Sequence, residues 1–125
     1  MKTEIADITA DERHFLSCLK RRPPLYLGKT NLTNFQMYVY GYIHAIQLLK
    51  EDRDHNILPD GMNDFVALKY LGHTQTSHNC FDLILLDEDN EEKAFYTFFD
   101  LLDEYLISLG YEPIPAFGAD KQTEK

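Results

Sequence analysis

The 125-residue sequence has no tryptophan, only two cysteines and few basic residues. Cys18 and Cys80 cannot build the disulfide framework of a small secreted domain, so we interpret both as thiols of a reducing compartment. No apolar run approaches the roughly 20 residues that span a bilayer. The opening MKTEIADITADE carries acids and no apolar segment, unlike a signal peptide. We therefore expect a cytoplasmic protein without a membrane partner.

Basic side chains are outnumbered, with 12 Lys and Arg against 21 Asp and Glu, which gives a net charge of −9. Nucleic acids and anionic membranes are bound through clusters of Lys and Arg. We therefore expect no direct binding to nucleic acid. An acidic surface attracts a basic partner instead, and we expect that partner to be a protein.

Hydrophobic residues make up 44% of the chain, and eight Phe and eight Tyr supply large core side chains. The apolar residues recur mostly at helical spacing. We predict an all-α fold, a compact single-domain bundle of about five helices. The predicted organisation is an N-terminal extension over 1–8, a helical domain over 9–111, and an extended C-terminal tail over 112–125.

The first and last helices of this bundle have clear start signals. Thr9 and Glu12 have the spacing of a capping box, which predicts a first helix to about Arg21. A last helix is predicted over 91–109. The helix dipole stabilises the acids in its first turn, and Gly110 ends the pattern.

The central helices differ in how clearly the sequence marks them. Asn31 or Thr30 is the expected cap of a helix that ends near Leu49. Gly41 lies in its middle, where we expect a close approach by a backbone or a ring. A third helix is predicted between a cap at Asp60 and a stop at Gly72.

The segment 78–87 is ambiguous. Ser77 could cap a fourth helix through Leu86, but the apolar run Cys80 to Leu86 also fits a buried strand. Periodicity does not decide between the two.

The stretch RRPPLYLG, residues 21–28, predicts a stiff corner between two helices. Pro23 and Pro24 cannot continue a helix, and we expect Tyr26 and Leu27 to insert between the neighbouring helices. A phosphate site built on the arginines is the weaker interpretation, because no glycine-rich nest of amides accompanies them.

Several side chains have the chemistry of metal ligands or catalysts without the required pattern. His73, His78 and Cys80 could bind zinc with His14 and Cys18, but their spacing matches no metal signature. Ser77, His78 and Asp82 lack a nucleophile elbow, and the sequence holds no phosphate-binding loop or dinucleotide fingerprint. We predict no enzyme activity, no cofactor and no metal.

An acidic run near the C-terminus predicts a binding surface, in which apolar anchors are surrounded by carboxylates. The run consists of Asp82, Asp87, Glu88, Asp89, Glu91, Glu92, Asp100, Asp103 and Glu104. Tyr96, Asp100, Asp103 and Ile107 share one face of the last helix, away from its phenylalanines. A solvated helix face kept acidic for solubility is the competing interpretation. The predicted binding residues are Asp87, Glu88, Asp89, Tyr96, Asp100, Asp103 and Ile107.

Residues 22–28, RPPLYLG, with Leu32, Phe35 and the pair Gly41-Tyr42, form a pattern that resembles RPxMYLG…L…F…GY. That pattern is similar to one in small helical immunity proteins of bacterial polymorphic toxin systems, including contact-dependent growth inhibition. Strong similarity covers residues 22–42, and Leu25 replaces the methionine of the pattern, a swap that conserves volume. The aromatic run over 94–106 is similar to the last helix of such proteins.

This resemblance implies a non-enzymatic protein that binds one toxin domain in the cytoplasm and neutralises it. Many such toxins are nucleases with basic clefts, which an acidic face would fit. The alternatives are a small regulatory or adaptor protein that uses the same acidic face on another protein, and a metal-dependent enzyme. The sequence leaves open which toxin is bound, whether inhibition is by occlusion or allostery, and whether Tyr38 and Tyr40 form a dimer face.

Overall fold

The computed structural model describes residues 10–115, and this part of the chain forms six helices. The predicted all-α fold is confirmed, and the predicted count of about five is one helix short. In the ambiguous segment 78–87, residues Cys80–Asp87 form a helix and not a strand. The helices are α1 (Ala10–Arg21), α2 (Pro23–Leu27), α3 (Leu32–Leu49), α4 (Met62–Leu71), α5 (Cys80–Asp87) and α6 (Glu91–Ser108).

The additional helix is α2, which occupies the predicted corner. Pro23 and Pro24 take its first two positions, where a missing N–H leaves no hydrogen bond unmade and a fixed φ suits the helix. Gly28 closes α2 at a φ of 79°, and its N–H donates to the Pro24 carbonyl at 3.0 Å. Leu27 is buried and Tyr26 half-buried, as the corner interpretation predicted.

Phe35 of α3 lies at the centre of the core and is fully buried. Its ring contacts four buried phenylalanine rings of α5 and α6 at centroid distances of 5.1 to 6.2 Å, in tilted or edge-on geometries. Such geometries suit the aromatic quadrupole and add to the apolar burial. The four rings are those of Phe81, Phe95, Phe98 and Phe99.

Residues 111–115 continue past α6 and lie against the bundle. The Arg13 guanidinium donates to the carbonyls of Glu112 and Pro113 at 2.9 Å. The Ser17 hydroxyl donates to the Pro115 carbonyl at 2.6 Å, and Ile114 is buried. The first residues of the predicted tail therefore pack on α1, and the rest of it lies outside the described residues.

The predicted helix ends are right at some positions and wrong at others. The Asn31 side chain caps α3 and Gly72 ends α4, as expected. Gly61 rather than Asp60 precedes α4, and Asn79 rather than Ser77 caps α5. Thr9 of the predicted capping box lies outside the described residues.

The expectation for Gly41 is wrong. A Cβ atom built there would meet nothing within 4 Å, so neither a backbone nor a ring approaches it.

Candidate protein-binding face

The outer side of α6 carries three of the predicted binding residues at exposed positions. Tyr96 and Ile107 are 45% and 49% exposed, and Asp100 is exposed one turn after Tyr96. The opposite side of the helix buries its phenylalanines in the core. At a rise of about 1.5 Å per residue, Ile107 lies roughly 16 Å along the axis from Tyr96. These residues therefore form a stripe and not a pocket.

The connection between α5 and α6 holds the next three predicted residues. Asp87 is the last residue of α5, and Asp87 and Asp89 are both exposed. Glu88 is half-buried, and its carboxylate accepts a hydrogen bond from the Asn90 N–H at 2.9 Å. Two of the three carboxylates are thus directed to solvent.

Asp103 is bonded to distant parts of the fold, unlike the other predicted residues, and its side chain is only 17% exposed. One carboxylate oxygen lies 2.7 Å from the Lys20 ammonium, and the other accepts from the Ile114 N–H at 2.7 Å. Lys20 also donates to the Ile114 carbonyl at 2.6 Å. Asp103 therefore fixes the segment after α6 against α1.

Other acids of the run also have partners inside the protein. Glu91 accepts from the N–H and the hydroxyl of Thr33 at 2.9 and 2.7 Å, which ties α6 to the start of α3. Glu104 pairs with Lys69 at 2.8 Å, and the Asp82 carboxylate accepts from the Asn79 N–H in the capping box of α5. Over residues 10–115, no hydrogen bond or ion pair engages the side chains of the remaining acids of the run, which are Asp87, Asp89, Glu92 and Asp100.

We call Asp87, Asp89, Glu92, Tyr96, Asp100 and Ile107 the acidic face. Glu92 is the member that the sequence did not place in the site, although it belongs to the predicted acidic run. It is exposed and lies one turn before Tyr96. The spacing of Glu92, Tyr96 and Asp100 at i, i+4 and i+8 is the signal that would have found it.

Two carboxylates of the acidic face occupy positions that are unfavourable for folding. Asp87 lies at the C-terminal end of α5, where the helix dipole disfavours negative charge. Asp100 is followed at i+4 by Glu104, a like-charge spacing that destabilises a helix. The pKa of Tyr70 is raised, first by burial and then by the negative charges of Asp87 and Glu88. The negative potential of these carboxylates therefore extends to Tyr70.

Of the possible metal ligands, only His14 and Cys18 lie together within residues 10–115, with the Cys18 sulfur 3.5 Å from the His14 ring. The His73 ring accepts from the Gln75 N–H at 3.1 Å, and the exposed His78 ring lies 3.6 Å from the Asp82 carboxylate. Burial raises the pKa of the Cys80 thiol to about 12, so this sulfur stays protonated at neutral pH and is a poor ligand. Within residues 10–115, no three His, Cys, Asp or Glu side chains converge as a metal site.

Across the same residues, none of the helices combines the length and the apolar character that crossing a membrane requires.

Comparisons of the chain with models of protein families, with curated proteins and with solved structures find no match.

Proposed function

We propose that this protein is an immunity protein that binds and neutralises a cognate toxin domain through the acidic face. The observation that carries the proposal is the placement of Asp87 and Asp100. Both carboxylates are exposed, have no partner over residues 10–115, and lie where negative charge destabilises a helix. A face kept acidic for solubility alone could carry its charge at positions that favour folding.

The chemistry of the face suits a basic protein surface. Unpaired carboxylates accelerate the encounter with a positively charged partner. They also compete with nucleic acid for the Lys and Arg side chains of that partner. Tyr96 supplies an aromatic group with a polar end, the kind of side chain that often dominates binding energy at interfaces. A toxin with nuclease activity and a basic cleft is therefore the partner that the face fits best.

The resemblance over residues 22–42 supports the proposal in a different way. Pro23, Leu27, Leu32 and Phe35 of that pattern are all buried. The pattern therefore specifies the scaffold, and recognition falls to a surface outside it. The acidic face meets this condition, because it lies after residue 86.

Reversing charge at Asp87 and Asp100 tests the proposal. The Asp87→Lys/Asp100→Lys variant should lose protection when it is co-expressed with the product of the neighbouring open reading frame, which we expect to be the toxin. Its binding to that toxin in a pull-down should also weaken by at least about tenfold, or 1.4 kcal/mol. The fold should persist, since both changes remove an unfavourable charge.

The matched control is Glu51→Lys/Asp54→Lys, which changes the net charge equally. Glu51 and Asp54 are exposed in the loop after α3 and have no bonded partner over residues 10–115. This control should protect cells as well as the wild type. Equal protection by both double variants would show that the acidic face does not bind the toxin.

A further inference from the structure

The outer side of α3 is an apolar surface without charge. The helix is 18 residues long and contains no Asp, Glu, Lys or Arg, although 26% of the chain is charged. Met37 and Leu48 are each 67% exposed, and Leu49 is 81% exposed. Large apolar surfaces of this kind on a small protein mark interaction sites.

Gly41 forms a notch in the middle of this surface. Beside it, an open groove of about 490 Å³ is lined by Phe15, Met37, Tyr38 and Tyr42. Glycine inside a helix destabilises it relative to alanine, and here a Cβ atom would meet nothing. Packing within the described residues therefore gives no reason for the glycine, and the notch is available to a group from another molecule.

The exposed stripe is symmetric about the midpoint of the helix. Met37 and Leu48 lie equally far from the point between Tyr42 and Ile43, and so do Gly41 and His44. An antiparallel two-fold contact pairs residue i with j and j with i. It would place Met37 against Leu48 of the partner subunit, and the Gly41 notch against His44 of the partner subunit.

We propose that a second copy of this chain binds there, as an antiparallel dimer of α3 helices. The absence of charge fixes where this occupant binds, because two chains of net charge −9 repel each other and the repulsion is weakest where the contact surface carries no charged side chain. A basic partner would favour the acidic face instead.

The exposed area is also of the right order for a dimer. Met37, Tyr38, Leu48 and Leu49 expose 40 to 81% of their surface. At about 200 Å² for a large side chain this amounts to on the order of 500 Å². A standard interface buries about 800 Å² from each partner, which leaves the remainder to the flanking residues.

Tyr40 is the other tyrosine that the sequence offered for a dimer face, and it contacts residues of its own chain. Its ring packs edge-on against Phe81, and its hydroxyl accepts from the Asn79 side chain at 3.1 Å. Tyr38 is exposed to a similar extent and contacts the rings of Phe15 and Tyr26, but it lines the groove beside Gly41, whereas Tyr40 does not. The dimer surface therefore uses Tyr38 and not Tyr40.

The dimer and the proposed function can be tested separately. Phe35 on the inner side of α3 packs against Phe99 on the inner side of α6. The outer sides of the two helices therefore face away from each other, and a substitution on one leaves the other intact. Loss of dimerisation with toxin binding retained, or the reverse, distinguishes the two proposals.

Sedimentation of the full chain over a concentration series is the first test. We expect the wild type to have twice the monomer mass of 14.6 kDa, and Leu48→Glu to raise the dimer dissociation constant at least about tenfold. Leu68→Glu is the matched control, because Leu68 on α4 is a 55% exposed leucine and should tolerate glutamate. A wild type that stays monomeric into the millimolar range, or equal effects of the two variants, would overturn the proposal.

Gly41→Gln separates the dimer from folding. Glutamine is a better helix former than glycine and has space at this position, so the midpoint of thermal unfolding at low concentration should rise while dimerisation weakens. A dimer as tight as that of the wild type would contradict the contact at the notch.

Cross-linking tests the antiparallel arrangement. In a Cys18→Ser background, a mixture of Met37→Cys and Leu48→Cys chains should form a disulfide between them on oxidation. Each variant alone should not, because equivalent residues lie far apart in an antiparallel pair. Cross-links in the single variants, and none in the mixture, would contradict this geometry.

Discussion

At the scale of single residues, the least expected feature is the buried carboxylate of Glu12. It accepts a hydrogen bond from the Tyr42 hydroxyl at 2.8 Å and lies 2.7 Å from the His55 ring. A buried carboxylate needs such partners, because burial without them is strongly unfavourable. The sequence predicted only that Glu12 reaches back to Thr9. It could not reveal Tyr42 and His55, which lie 30 and 43 residues away.

The contact with Glu12 makes stability depend on pH at the alkaline end. Burial first, and then the hydrogen bond to the Glu12 carboxylate, raise the pKa of Tyr42 from 10.0 to about 12. A raised pKa means that the folded state holds the proton more tightly than the unfolded state. The stabilisation is therefore complete below pH 10.0 and is lost as the pH rises toward about 12.

Tyr42→Phe should remove this dependence. The variant should be less stable than the wild type at neutral pH, because a hydrogen bond to a charged acceptor is lost. The difference between their thermal midpoints should shrink above pH 10.0, where the wild type alone loses the Tyr42 contribution. Thermal melts from neutral to strongly alkaline pH measure it, and a constant difference across that range would contradict the role of Tyr42.

At the scale of helices, the sequence predicted ends correctly where one local signal decides them. Asn31 caps α3 through its own side chain, and Gly72 ends α4 in a left-handed conformation. The cap at Ser77 was predicted wrongly because Asn79, two residues later, can cap a helix as well. The helix at Pro23 was missed because proline, which cannot continue a helix, suits the first helical position. The chain starts α5 two residues later than Ser77 allows, and the two prolines begin a helix instead of only ending one.

The start of α5 provides a direct test. The Asn79 side chain accepts from the Asp82 N–H at 2.8 Å, and Asp82 reaches back to the Asn79 N–H in a capping box. Asn79→Ala should therefore lower the free energy of unfolding by about 1 to 2 kcal/mol.

Ser77→Ala is the control, since Ser77 is exposed and precedes the helix. Its effect should stay within about 0.5 kcal/mol, as for ordinary surface substitutions. Denaturant titration of both variants measures the two effects. A larger loss for Ser77→Ala than for Asn79→Ala would mean that the cap has been placed wrongly.

At the scale of the whole molecule, helical periodicity was enough to predict the fold class. Phe95, Phe98 and Leu102 recur at helical spacing in α6 and are all buried. The proposed binding surface was harder to predict, because residues distant in the sequence decide whether an acid is exposed or bonded. Asp100 and Asp103 look alike in the sequence, yet Lys20 of α1 and Ile114 engage only Asp103.

The distribution of charge separates two surfaces of different character. Acids without partners gather along α6 and the connection before it, whereas α3 carries no charged side chain. In the two proposals, the first surface binds a basic toxin and the second binds another copy. A dimer of this kind would present two acidic faces, each directed away from the shared α3 contact.

If the acidic face exists for a partner, its charge should lower the stability of the free protein. Asp100 lies at i−3 and i−4 from Asp103 and Glu104, and like charges at these spacings destabilise a helix. Asp100→Lys should therefore raise the free energy of unfolding by about 0.5 to 1 kcal/mol at low salt. Asp100→Asn should give about half of that gain, because it removes the repulsion without adding attraction.

Salt distinguishes this explanation from a change in packing. Screening shortens the range of exposed charges to about 3 Å at 1 M ionic strength, so both gains should nearly vanish there. Denaturant titrations of the wild type and the two variants at low and high salt measure the difference. A gain that persists at high salt would come from helix propensity or contacts of the new side chain. A loss of stability in Asp100→Lys would mean that the carboxylate stabilises the fold, which would remove the main reason for assigning it to a partner.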